Sequence, residues 1–202
     1  MSFRELYDYC QTFPGMVGRN AVVACVRELL PRAPFSVIQD GLDPTICRGY
    51  YLSARNDQHR VVQQLGGRNV IVLARLNNRC WTRFVLFKEM MHLFDDPMDS
   101  TTQAVHLDAV MLAFENTGQL PNSPQLRSEL ETMWMAAALL CPEHQRVEYM
   151  RRNTLDQADP EYMDDLQIAM ELRMPQQWVQ RLFQPRYRKI LDALLGVPEQ
   201  AA

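Results

Sequence analysis

The chain has 202 residues, of which 47% are hydrophobic and 22% charged, with a formal net charge of -3 at neutral pH. That is enough apolar material for one ordinary folded domain and argues against global disorder. The slightly acidic balance makes neither nucleic acid nor an anionic membrane the default partner. The first thirty residues read as helical, and Asn20 is placed to cap a helix carrying Val22, Val23, Val26, Leu29 and Leu30 that ends at Pro31 and Pro34. Beyond Pro34, Phe35 to Ile38, Arg48 to Leu52 and Asn69 to Ala74 are short β-branched or aromatic runs between Gly, Pro, Asn and Asp, which predicts three strands of a small sheet. Asn77-Asn78 marks a turn.

From Thr82 onward the texture is helical. Phe84, Val85, Phe87, Met91 and Phe94 recur at helical spacing until Asp95-Asp96-Pro97 stops them. Ser100 and Gln103 make a capping box for a helix reaching about Glu115. Ser123-Pro124 opens another that runs to Cys141, before Pro142. A last helical group spans Glu161 to Leu195, broken at Pro175 and Pro185. Helix, small sheet, then helices predicts an α+β fold with a helical tail.

Met1 to Glu5 is followed by no long apolar stretch, and the longest apolar run, Met133 to Cys141, is far short of a membrane span. Five dispersed cysteines without a C-x-x-C pair favour neither a disulfide framework nor a thiolate zinc site. The expectation is a cytoplasmic protein with no membrane partner.

The stretch that bears chemistry is Arg83-Phe84-Val85-Leu86-Phe87-Lys88-Glu89-Met90-Met91-His92. In H-E-x-x-H, a helix sets two imidazoles one turn apart on one metal, and the Glu between them serves the metal-bound water as general base. Here the pattern is K-E-x-x-H: Glu89 and His92 hold the base and second-ligand places, and Lys88 stands where the first His would be.

The strand Asn69 to Leu73, a short turn and this helix together resemble the ImmA/IrrE family of zincin-like metallopeptidases, whose pattern is a strand, a turn and R-F-T-L-A-H-E-L-G-H. Glu129-Leu130-Glu131-Thr132-Met133-Trp134-Met135-Ala136-Ala137-Ala138-Leu139-Leu140-Cys141-Pro142 is similar to the family's E-x-E-A-N-x-F-A-A-x-L-L-M-P. Asp164 to Leu182 follows the helical module that often trails the peptidase motif. The resemblance implies a zincin-like domain over residues 1–148, a short sheet with the motif helix and packing helices, and a C-terminal helical, helix-turn-helix-like module over 149–202. It implies Glu89 as general base and His92 and Glu131 as zinc ligands.

Lys88 departs from that pattern, as do Met91 at a glycine position and Met133 at an asparagine position. A lysine is mostly protonated at neutral pH and offers a metal no lone pair. The ammonium instead has the charge to stand in for the ion by pairing with Glu131 or Glu89. His106, His144, Asp95, Asp96 and Asp99 are possible replacement ligands, each read more simply as a surface or capping residue, and His59 reads as a loop or exposed helix residue.

The expectation is therefore a degenerate family member, impaired in catalysis, that acts by binding a protein partner such as a helix-turn-helix transcriptional regulator. No cofactor is expected, or zinc if the site is functional. The alternative is an active zinc metallo-endopeptidase that cuts such a repressor. Arg181, Arg186, Arg188 and Lys189 in the C-terminal module have the charge to meet phosphates, but Trp178, Leu182 and Phe183 are core-like and acidic residues precede them, which favours packing over DNA.

Overall fold

The computed structural model describes residues 2–95 and 124–197. The order is α1 (Phe3–Gln11), α2 (Arg19–Leu29), β1 (Phe35–Asp40), β2 (Gly49–Leu52), α3 (Arg60–Gln64), β3 (Asn69–Ala74), α4 (Arg79–Met91), α5 (Pro124–Leu140), α6 (Glu143–Asn153), α7 (Asp165–Leu172), α8 (Gln176–Leu182) and α9 (Arg186–Leu194). Among the described residues this is an α+β chain with one three-stranded sheet. The Ser100–Gln103 capping box and its helix lie outside the described residues.

All three predicted strands are present, in the order β1-β3-β2. β3 is central because its six residues are all buried, the signature of a strand covered on both faces. It runs parallel to β1, with Val37 opposite Ile71, and antiparallel to β2, with Tyr51 opposite Ile71. Strand alternation sends Ile71 and Leu73 into the main core and Val70 and Val72 into a smaller cluster with Leu52 and Val62 of α3.

Gly49 sits where β2 meets both β3 and α4. A Cβ there would lie 2.6 Å from the Val72 carbonyl oxygen and 2.6 Å from Val85 Cγ1. Gly49→Ala should therefore destabilise the fold by about 1–3 kcal/mol through overpacking, measurable as a lower denaturant midpoint at unchanged slope.

The main cluster is continuous from Leu6 of α1 through Phe84 and Phe87 of α4 and Trp134 of α5 to Trp178, Tyr187 and Leu191 of α8 and α9. Trp178 stacks on Phe84 at 4.8 Å between ring centroids and meets Trp134 edge-on at 5.3 Å. The C-terminal helices thus share the core of the motif helix, and residue 148 lies inside α6. Arg83 reinforces this junction: it is buried, and its guanidinium donates to the Leu172 carbonyl at the end of α7 and to the Val17 carbonyl before α2. α7 and α8 are joined by a tight corner in which Arg173 takes a left-handed conformation. Arg188 pairs with Asp192 at 3.0 Å. Among the described residues, no helix is long and apolar enough to cross a membrane.

Two elements leave little trace in the sequence. α6 buries only Gln145 and so carries no apolar stripe to read. α3 is a five-residue helix, and His59 caps its start: the ring Nδ1 accepts a hydrogen bond from the Val61 amide at 3.3 Å.

Candidate functional site

α4 begins at Asn78, whose side chain accepts from the Trp81 amide, and its last turn delivers Lys88, Glu89 and His92. His92 is the C-cap, so the helix ends slightly earlier than the apolar spacing to Phe94 predicts. Lys88, Glu89 and His92 are 6%, 2% and 4% exposed, so the lysine points into the protein rather than into solvent.

α5 packs against α4 and supplies a carboxylate, and that carboxylate is Glu129. Lys88 Nζ lies 2.5 Å from Glu129 Oε2 and 3.1 Å from Glu89 Oε1. His92 Nε2 is 3.3 Å from Glu129 Oε1 and 3.8 Å from Glu89 Oε2. The resemblance implies Glu131 in this role, but two residues along a helix are a rotation of about 200°. Glu129 belongs to the strip continued by Thr132, Met133, Ala136 and Ala137, all buried. Glu131 belongs with Arg127 and Met135 to the less buried strip. Trp134, Ala138 and Leu139, which follow Glu131 at helical spacing, are buried too, so the packing of α5 on α4 rather than sequence periodicity distinguishes Glu129.

Asp95 joins the cluster from beyond the helix end. Its Oδ2 is 2.7 Å from His92 Nδ1 and accepts from Ser128 Oγ at 2.6 Å. The Tyr51 ring of β2 stacks on the imidazole at 5.7 Å. The ring is thereby held with Nδ1 toward Asp95 and Nε2 toward Glu129. His144 lies apart on α6 and is exposed, while Asp96, Asp99 and His106 lie outside the described residues.

The electrostatics follow from burial and close opposite charge. Burial by itself lowers the Lys88 amine, but the Glu89 and Glu129 carboxylates overcome it and hold the amine above its ordinary value. Burial opposes ionisation of Glu129 as well, yet Lys88 and His92 pull its carboxyl down to about 2. For Glu89, burial prevails and the value is raised, with Glu129 adding to the effect against Lys88 and His92. Burial and Lys88 disfavour the imidazolium of His92, but hydrogen bonds to Asp95 and Glu129 raise it to about 9.

The resemblance implies zinc, and the donor set does not fit it. Glu89, His92 and Glu129 converge, but the Lys88 ammonium lies between the two carboxylates at contact distance, where a divalent cation would meet its charge directly. Among the described residues, no group of three or more His, Cys, Asp or Glu side chains is arranged to hold a metal ion. Among the described residues, the cluster is a buried ion network whose cations, Lys88 and His92, are side chains of the protein itself.

Searches of protein-family models, curated proteins and solved structures returned no match to this chain.

Proposed function

We propose that the chain is a degenerate zincin-like scaffold of the ImmA/IrrE kind, impaired in catalysis, that acts by binding a protein partner such as a transcriptional regulator. The observation that carries the reading is the buried Lys88 ammonium between Glu89 and Glu129, with His92 on the same Glu129 carboxylate. A hydrolytic zinc site needs an open coordination position and a base free to take a proton from bound water. Here the amine fills the space between the carboxylates, and Glu89 is engaged by it. What remains useful is the frame: a buried, oriented cluster under a sheet edge, able to present a fixed surface to a partner.

Metal content tests this directly. Protein purified without a chelating tag should carry no stoichiometric zinc by elemental analysis, and Lys88→His should gain zinc. Near-stoichiometric zinc in the unaltered protein would overturn the reading in favour of an active metallo-endopeptidase. Zinc in neither protein would count against the zincin assignment itself.

A further inference from the structure

β1 starts and β2 ends at the same end of the sheet, because Phe35 is opposite Asn69 and Leu52 opposite Val70. The loops before β1 and after β2 therefore emerge together, beside the end of α4. Asn69 fastens them to each other. Its Oδ1 accepts from the Tyr51 hydroxyl at 2.8 Å and from the Ala54 amide at 2.8 Å, while its Nδ2 donates to the Pro34 carbonyl at 3.3 Å.

A pocket of about 270 Å³ opens between these loops and His92. Tyr51, Ser53, Asn69 and His92 are buried parts of its lining, and Arg32 and Arg55 are exposed parts. Among the described residues, neither guanidinium has an ion-pair partner. Among the described lining residues the one carboxylate is Asp95, whose Oδ2 is taken by His92 and Ser128. Arginine forks match carboxylate geometry, and two of them on loops pinned by one buried amide make a preorganised receiver. The volume falls just below the usual range for drug-sized ligands, about 300–1,000 Å³, and suits one or two side chains.

We propose that this pocket binds the carboxylates of an acidic peptide segment, with Arg32 and Arg55 as the contacting groups. This deepens the partner-binding reading, on which it rests for its biological sense, by naming the chemistry of the segment that enters beside His92.

The test is calorimetric titration at low ionic strength, where exposed charges are least screened. The probes are the blocked dipeptide acetyl-Asp-Glu-amide, its neutral counterpart acetyl-Asn-Gln-amide, and succinate. Saturable binding of the acidic dipeptide is expected, with the neutral one at least about tenfold weaker, the scale of a lost charge-assisted contact. Arg32→Ala and Arg55→Ala should each weaken the acidic dipeptide by a similar factor without changing the melting temperature, since both side chains are exposed. Equal binding of the neutral dipeptide, no saturable binding, or unchanged affinity in both variants would overturn the proposal. Succinate binding about tenfold tighter than the dipeptide would overturn the peptide assignment. The metal assay separates the two readings: a zinc-free protein that ignores the acidic dipeptide leaves the scaffold reading standing. A zinc-loaded protein with arginine-dependent binding leaves the pocket standing.

Discussion

Lys88→Met should lower folding stability by about 3–5 kcal/mol at neutral pH, the scale observed when one member of a buried ion pair is removed. The side chain keeps most of its length and loses its charge, so packing changes little and the effect is chiefly electrostatic. Glu129 and Glu89, 5% and 3% exposed as side chains, would lose a cation in direct contact with both and keep the weaker contacts to His92. The pH dependence has a definite sign. Glu129, lowered to about 2 from 4.5, contributes stability that is present above pH 4.5 and lost as the pH falls toward 2. Without Lys88 that lowering is largely gone, so the gap between wild type and variant should be widest above pH 4.5 and narrow below it. Glu89, raised above 4.5, works in the opposite direction and trims the wild-type gain. His92, raised to about 9 from 6.5, contributes stability fully present below pH 6.5 and lost as the pH climbs through 9. Denaturant melts from pH 3 to 10 would check this; a gap that does not move with pH would mean that Lys88 contributes packing rather than charge. Lys88→Met with Glu129→Leu should recover part of the loss, because an uncompensated buried charge is then removed.

Much of this cluster was legible because helical spacing acts over short range. Lys88, Glu89 and His92 follow from one helix, and their burial follows from the apolar residues around them. The strands were legible for the same reason: Val70 to Ala74 is a short, largely β-branched apolar run, the pattern of a strand covered on both faces. The sheet order was not, since seating β3 between β1 and β2 is a long-range outcome with no local signature. The choice between Glu129 and Glu131 turned on the phase of α5. A motif alignment fixes residue type at a position, but Trp134, Ala138 and Leu139 behind Glu131 are as buried as Thr132, Met133, Ala136 and Ala137 behind Glu129, so only the packed helices show which carboxylate meets Lys88. Asp95 was weighed as a ligand or cap and became a hydrogen-bond partner of His92, a role set by where the chain turns after α4. The proximity of Arg32 and Arg55 has no local signature, because it depends on two loops meeting at one end of the sheet.

Trp178→Ala should cost about 3–5 kcal/mol, the range for emptying a large aromatic site in a core. Trp178 is 1% exposed and touches two other rings, Phe84 of the motif helix and Trp134 of α5, so the cavity would open at the centre of the main cluster. The substitution also asks whether the C-terminal helices melt on their own. The expected division of the chain into residues 1–148 and 149–202 says nothing of separate cores, and one buried cluster runs through both parts while Arg83 of α4 reaches the end of α7. A shared core predicts a single cooperative transition, shifted equally for amides in β3 and in α7 to α9 when exchange is followed across the chain. If protection fell only in the C-terminal helices, the module would be an independent unit docked on the motif helix. Equal loss in β3 would instead tie the site to the tail: Phe84 carries Trp178 on one side and belongs to the helix that holds Lys88, Glu89 and His92. The geometry of the ion cluster would then depend on how the last helices pack, and truncating the tail would be expected to loosen the cluster as well as the core.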